Sequence, residues 1–323
     1  MPIADKRDVL LIGPLRPWLA KGLADFTMHT LPAADRDAFL AANAGLRAMA
    51  VSAPVVPVDD ALFDRLPKLQ IVASFGVGYD HIDAAAAAKR GIIVTHTPDV
   101  LNEEVADTAI GLLLCTVREF PQAERHVRAG RWPQGNYPLS KATLRNRTIG
   151  LIGMGRIGVA IARRLEGFGV PIVYHARHRR PELAYRHYPK LTDMAHDADT
   201  LIVIVPGGDE TRNMIDARVL DALGPDGIVI NVARGSVIDE PALIAALKQR
   251  KIFAAGLDVF ADEPNVPAEL MTMDNVVLLP HVGSASAYTR EKMDQLIVDN
   301  ILAWAAGKPP LTPVPETPYP PKR

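Results

Sequence analysis

The chain has one cysteine, Cys115, in 323 residues. An intrachain disulfide is therefore excluded, as are metal sites built from paired thiolates. The thiol lies in the apolar run "IGLLLC", which predicts a buried, unreactive sulfhydryl. No apolar run approaches the ~18 residues that suggest a membrane span. The opening "MPIADKRDVLLIG" lacks the basic-then-apolar pattern of a secretory signal, so a cytoplasmic location is expected by default. Charge of one sign is also missing. Lys and Arg number 36 against 37 Asp and Glu, a formal net charge of −1. No global field draws the protein to nucleic acid or an anionic membrane, and any anion site must be local. The histidines show no metal-like clustering, so no metal is expected.

What is present is alternation. Runs such as "DVLLIG", "AMAVS", "LQIVAS" and "GIIVTHT" are followed by "TIGLIG", "PIVYH", "TLIVIV", "GIVINV", "IFAAGLDV" and "NVVLLP". Near-continuous Val, Ile and Leu without polar alternation suits parallel strands covered on both faces. Helical segments separate several of them. The pattern predicts an α/β protein with two open, doubly wound parallel sheets, and the length suits two domains. The boundary falls near "TPDVLNEEVADTAIGLLL", where Asn102 can cap a helix with Val105, Ala106, Ala109, Ile110 and Leu113 at helical spacing. Residues 120–145 are poor in strand signal and predict an extended arm or long loop. A helix follows His281. The tail "KPPLTPVPETPYPPKR" is Pro-rich and is expected to be extended or frayed.

"TIGLIGMGRIGVAIARRLEGFG" sets a strand, a glycine loop and an amphipathic helix in order. Gly153, Gly155 and Gly158 form GxGxxG. The first permits a tight turn, the second lets backbone approach a pyrophosphate, and the third lets helix pack on strand. The helix N-terminus offers free N–H groups to phosphate. About twenty residues on, an acid is expected to hold the ribose hydroxyls of NAD. "PIVYHARHRR" has His175 there, then Ala176, Arg177, Arg179 and Arg180. The missing acid and the added base both favour NADP(H) over NAD(H), with Arg177 placed to meet a 2′-phosphate. Arg179 or Arg180 could flank it, and a solvated basic turn is the plainer alternative.

Three further stretches begin at or just after predicted strand C-termini, where ligands gather in open α/β sheets. "NVARGSVIDE" carries Arg234, "GLDVFADEP" carries Asp258 and Glu263, and "LLPHVGSA" carries His281. Together with "GMGRIG", these ordered motifs resemble the D-2-hydroxyacid dehydrogenase family, most closely its NADPH-dependent glyoxylate/hydroxypyruvate reductase branch. The resemblance runs from "FGVGYDHID" to the final helix. It implies a Rossmann cofactor domain, residues 100–286, inserted in a flavodoxin-like substrate-binding domain, residues 1–99 and 287–323, with substrate in a cleft that closes by a hinge.

The resemblance also implies roles. His281 is the general acid that protonates the carbonyl oxygen as hydride arrives. Glu263 holds its other ring nitrogen, and Arg234 orients and polarises the substrate. Backbone N–H groups of Val77 and Gly78 meet the substrate carboxylate, a plain turn being the alternative. Cofactor contacts fall on Thr108, on Gly153, Met154, Gly155, Arg156, Ile157 and Gly158, and on Ala176 and Arg177. Pro206, Val232, Ala233, Asp258 and Gly283 complete that set, with Asp258 matched to the nicotinamide carboxamide. Trp132 is read as a core or arm aromatic, against a role at a neighbouring subunit's site, and residues 120–145 imply a homodimer. The expected enzyme is an NADPH-preferring reductase of small 2-keto acids, glyoxylate and hydroxypyruvate. The alternatives are a broader reductase of pyruvate-like or aromatic keto acids, and a non-enzymatic dinucleotide-sensing interaction protein.

Overall fold

The computed structural model describes residues 7–53 and 55–319. The chain divides into two compact units, one running to Leu101 and resuming at Ser286, the other spanning Asn102–Ala285.

The first unit holds five strands: β1 (Asp8–Ile12), β2 (Thr27–Thr30), β3 (Ala48–Val51), β4 (Ile71–Ser74) and β5 (Ile93–Thr95). They form one all-parallel sheet in the order β2-β1-β3-β4-β5. Apolar residues fill both faces because both are covered. Leu10, Met49, Val72 and Val94 enter one core, and Val9, Leu11, Ala50 and Ile71 enter the other. Helices α1 (Pro17–Gly22), α2 (Arg36–Ala42), α3 (Asp60–Arg65) and α4 (Ala84–Lys89) connect the strands. The C-terminal helix Ala287–Ala305 returns to this unit and buries Ile297 and Ile301 in the second core.

The tail corrects the expectation of fraying. Pro313 bridges Thr95 in antiparallel sense, Val314 N–H donates to the Val94 carbonyl at 2.9 Å, and Val94 N–H donates to Thr317 Oγ1 at 2.9 Å. The tail is extended, but it is spent on satisfying the open edge of β5. Its last four residues lie outside the described residues.

The second unit has seven parallel strands: β6 (Ile149–Ile152), β7 (Ile172–His175), β8 (Arg186–Tyr188), β9 (Thr200–Val203), β10 (Ile228–Asn231), β11 (Ala254–Leu257) and β12 (Val276–Leu278). Their order is β12-β11-β10-β9-β6-β7-β8. The chain leaves β6 in one direction through β7 and β8, then returns to its other side at β9. That reversal opens a crevice at the C-terminal ends of β6 and β9, the switch point at which such sheets bind ligands.

Helix α5 (Asn102–Arg118) packs on β10 and β11 and on the helix that follows β6. Its residues Val105, Ala106, Ala109, Ile110 and Leu113 are all buried. Residues 120–145 depart from the expected arm or loop, because α6 (Phe120–Arg128) and a 3₁₀ turn, Trp132–Gln134, form there. Pro121 reads as a breaker within the segment but sits in the first helical turn, where proline is tolerated. Helix α6 buries none of its residues. After β6 come α7 (Arg156–Glu166), α8 (Leu191–Asp197), α9 (Ala217–Leu223), α10 (Glu240–Lys248) and α11 (Ala268–Thr272). Met194 of α8, Leu220 of α9 and Leu243 of α10 share one core on the sheet. Cys115 is half-buried rather than enclosed, and burial still pushes its thiol upward in pKa, which keeps it protonated. Among the described residues, no helix is long and apolar enough to cross a membrane.

Candidate active site

The glycine loop joins β6 to α7, and each glycine has its own reason. Gly153 has φ +103, and a Cβ there would stand 2.5 Å from the Ile204 carbonyl oxygen. A Cβ on Gly158 would stand 2.4 Å from the Gly153 carbonyl oxygen, so helix and turn touch backbone to backbone. A Cβ on Gly155 would meet nothing within 4 Å. That open side leaves room for a ligand to approach the backbone, as a pyrophosphate requires. Gly155 is also the N-cap of α7, with no side-chain cap and no acid in the first turn. The positive end of the helix dipole therefore lies at the glycine loop with no acid in the first turn and no side-chain cap set against it. Arg156 and Ile157 open that first turn, while Met154 is buried within the loop.

The turn after β7 is held from several sides. His175 O accepts the Gly153 N–H at 2.9 Å, and the His175 ring contacts the Tyr188 carbonyl through Nδ1 at 2.9 Å. The Ala176 carbonyl accepts from His187 Nε2 at 2.9 Å. Arg180 does not face water idly. Its Nη1 donates to the Met154 carbonyl at 2.7 Å and its Nε to Glu182 at 2.6 Å, so it fastens this turn to the glycine loop. Arg177 is exposed and pairs with Glu210 at 2.9 Å. Neither the service of Arg180 nor that partner of Arg177 is readable from the strand-loop-helix pattern, because both contacts link turns distant in sequence.

At the ends of β10, β11 and β12 lie the other polar groups. Arg234 follows β10, in the segment that leaves Asn231, Val232 and Ala233 buried. Asn231 is not among the residues that the motifs single out. Its side chain donates to the Arg234 carbonyl at 3.0 Å and accepts the Ala233 N–H at 3.0 Å, fixing the turn that carries the guanidinium. An Asn ending an otherwise apolar strand was the available signal.

His281 follows β12 with φ +52, a left-handed conformation uncommon outside glycine. The turn is pinned by Asp258: its carbonyl accepts the His281 N–H at 2.8 Å, and its carboxylate accepts the N–H groups of Val282 and Gly283 at 2.7 and 2.8 Å. Asp258 is 1% exposed, and burial pushes its carboxyl up in pKa despite those two donors. Thr108 Oγ1 donates to the Gly283 carbonyl at 3.2 Å, tying α5 to the same turn. Pro206 follows β9 and is exposed, its carbonyl accepting from Thr211 Oγ1 at 2.7 Å.

His281 and Glu263 meet. The ring Nδ1 lies 2.6 Å from Glu263 Oε2. A carboxylate only accepts, so Nδ1 carries the proton of that bond and Nε2 is left to exchange one. Burial alone would raise the Glu263 carboxyl. The bond and charge of His281, the Phe260 N–H and the charge of Arg234 outweigh it and hold Glu263 below the ordinary glutamate range. An imidazole oriented by a carboxylate, with a guanidinium nearby, can pass a proton to an oxygen while a carboxylate-bearing substrate is held.

In the other unit, Val77 and Gly78 follow β4 in a loop fastened to the segment after β5. Gly76, at φ +116, donates its N–H to Thr97 Oγ1 at 3.0 Å and accepts the Thr97 N–H at 2.9 Å. The Val77 carbonyl contacts His96 Nδ1 at 2.9 Å. Trp132 opens the 3₁₀ turn Trp132–Gln134 and is 62% exposed, which removes the core reading. Among the described residues, no group of three His, Cys, Asp or Glu side chains could hold a metal ion.

A doubly wound sheet with a glycine loop at its switch point, carrying a His–Glu pair and an arginine at strand C-termini, defines a nucleotide-dependent dehydrogenase of the two-domain parallel α/β class. Comparison with known proteins agrees. Residues 110–283 match the family described as D-isomer specific 2-hydroxyacid dehydrogenase, NAD binding domain. Glyoxylate/hydroxypyruvate reductase A of Arabidopsis thaliana is 48% identical over 79% of this chain and 82% of its own. Hydroxyphenylpyruvate reductase of Plectranthus scutellarioides is 43% identical over 95% of this chain and 98% of its own. A solved structure, an NADPH-dependent glyoxylate/hydroxypyruvate reductase from Sinorhizobium meliloti in complex with NADP and malonate, is 51% identical with a TM-score of 0.93, covering 99% of each chain. The chain belongs to the D-isomer specific 2-hydroxyacid dehydrogenase family, and it is an NAD(P)-dependent oxidoreductase.

Proposed function

We propose that the protein is an NADPH-preferring reductase of small 2-keto acids, acting on glyoxylate and hydroxypyruvate. The observation that carries the reading is the 2.6 Å His281–Glu263 pair in the unit that also holds the glycine loop and Arg177. When bound, the nicotinamide supplies the hydride to the carbonyl carbon. His281 delivers its Nε2 proton to the carbonyl oxygen, which becomes the hydroxyl. Glu263 fixes the ring and balances the imidazolium before transfer. Arg234 holds the substrate carboxylate and polarises the carbonyl.

For the cofactor, the N–H groups from Gly155 to Gly158 take the pyrophosphate, and Arg177 beside Ala176 takes the 2′-phosphate. Met154, Thr108, Pro206, Val232, Ala233, Asp258 and Gly283 shape the remaining contacts. Residues 100–286 act as the cofactor-binding domain and the rest as the substrate-binding domain. The protein works in the cytoplasm and as a homodimer; the dimer reading is supported by Phe120, Val127, Trp132 and Leu139, large apolar residues exposed along residues 120–139.

Matched initial rates with glyoxylate, hydroxypyruvate, pyruvate and phenylpyruvate, each with NADPH and NADH, test the proposal. The expected result is a kcat/KM advantage of at least tenfold for NADPH, with glyoxylate and hydroxypyruvate preferred. Preference for NADH would remove the assigned role of Arg177. A lead for phenylpyruvate would move the substrate class to aromatic keto acids.

A further inference from the structure

The ion pair on Arg177 bears on how strongly the protein selects its cofactor. Strand β6 pairs with β7 on one side and β9 on the other. The turns leaving β7 and β9 therefore flank the glycine loop, and the Arg177–Glu210 contact of 2.9 Å joins them. Both turns are built. The first is fixed by Arg180, whose backbone N–H donates to Tyr174 Oη at 2.8 Å and whose guanidinium binds Met154 O at 2.7 Å. The second turns at Gly208, φ +130, into the 3₁₀ segment Asp209–Thr211. Thr211 Oγ1 locks it to the carbonyls of Pro206 and Gly208, at 2.7 and 3.2 Å. The neighbouring acid, Asp209, lies 3.6 Å from Arg212. Glu210 is thus the acid that the turn delivers to Arg177.

We infer that Glu210 is a specificity-determining residue that attenuates the preference for NADPH, its carboxylate competing with the 2′-phosphate for the Arg177 guanidinium. The inference rests on the assignment of Arg177 to the 2′-phosphate. A phosphate of charge near −2 must displace the carboxylate or share the guanidinium with it at close range, and like charges a few ångströms apart repel. NADH has no 2′-phosphate and escapes this competition. Arg177 and Glu210 side chains are each 78% exposed. Water and salt therefore screen the pair, so Glu210 tunes the preference by a modest factor and does not block the site. Arg180, committed to Met154 and Glu182, is not available to relieve Arg177 without loosening the glycine loop.

The test compares the wild type with E210Q, R177Q and the double variant, by fluorescence titration with NADPH and NADH at low and high salt. Glutamine preserves shape on an exposed turn, so the comparison isolates charge. In E210Q the Kd for NADPH should fall about three- to tenfold at low salt, with a smaller gain at high salt, while the Kd for NADH changes less than twofold. R177Q should weaken NADPH selectively, and E210Q should have a smaller effect in the R177Q background, because competition for the guanidinium is gone and only the direct repulsion of the phosphate remains. An unchanged or weaker NADPH affinity in E210Q overturns the inference, and so does an equal change for both cofactors. If that happens while R177Q still loses NADPH selectively, the phosphate role of Arg177 stands. If R177Q leaves the cofactor ratio unchanged, that role fails and the inference fails with it.

Discussion

His281 combines an uncommon backbone conformation with a side chain that must keep one ring nitrogen available. Asp258 supports the first requirement through three backbone contacts, and Glu263 serves the second. The Glu263 carboxyl is held below its ordinary value, so its pairing contributes stability that is fully present above the unfolded glutamate pKa of about 4.3. That contribution is lost as pH falls through the lower folded value. Substituting Glu263→Gln should therefore narrow the stability gap from wild type only below about pH 4.3, as read by urea unfolding across pH. The same variant should lose roughly tenfold in kcat, because an amide still accepts the Nδ1 proton but no longer balances the imidazolium. His281→Gln should lose about 10²- to 10⁴-fold, the usual worth of a general acid. Arg234, Glu263 and His281 were legible as site candidates because each stands in a distinctive motif after an apolar strand, and the structure brings His281 and Glu263 together. Glu210 was not, since its contact with Arg177 depends on which turns the sheet order brings together; Asn231 was marked only by its place at the end of an apolar strand.

Elements that bury a continuous apolar run were readable, the edge strands β5 and β12 among them, and short polar elements were not. Strand β2, "TMHT", and strand β8, "RHY", are short, polar and at the edges of their sheets, which is how edges avoid unwanted pairing. Helix α6 went unread for the complementary reason: it buries no residue and contains a proline in its first turn. The glycines tell more than their motif. Gly235 lies in the 3₁₀ turn Gly235–Val237 after Arg234, and a Cβ there would fall 1.9 Å from the carbonyl carbon of Phe260. The obstacle is backbone, and that backbone leads directly to Glu263, whose Oε1 accepts the Phe260 N–H at 3.1 Å. Gly235→Ala should cost about 3 kcal/mol or more in chemical denaturation, since overpacking against a main chain has no side chain to yield. In whatever fraction folds, kcat should also fall, because the turn carrying Arg234 and the loop carrying Glu263 are forced apart. An alanine variant with wild-type stability would show that this close approach is not maintained in solution.

The two units differ in how the chain completes them. Asn102–Ala285 is continuous and contains all seven strands of its own sheet. The other unit is assembled from both ends of the chain, and its closing elements are the C-terminal helix, which the sequence predicts, and the tail, whose Pro-rich composition concealed its pairing with β5. Asn300 is fully buried, and its Oδ1 accepts the N–H groups of Leu311 and Thr312 at 2.8 and 3.1 Å. Its Nδ2 donates to Thr312 Oγ1 at 2.9 Å. Val314 is fully buried beside β5. Truncation after Gly307 would leave the Asn300 side chain without these partners and the β5 edge unpaired, while exposing the pocket of Val314. Nδ2 keeps the Leu296 carbonyl, but the buried Oδ1 left without donors costs about 1–3 kcal/mol, and loss of the buried valine adds about 1.5 kcal/mol or more. The truncated protein should therefore lose about 3–5 kcal/mol from the first unit alone, seen as an earlier unfolding step in a thermal scan. Its NADPH affinity by fluorescence should stay within about twofold of wild type, because the glycine loop and Arg177 belong to the continuous unit. Hydrogen exchange on the full chain gives an independent reading. Amides of Val94 and Val314 should be as protected as those of β4 if the tail closes the sheet, and should exchange as freely as a solvated loop if it does not.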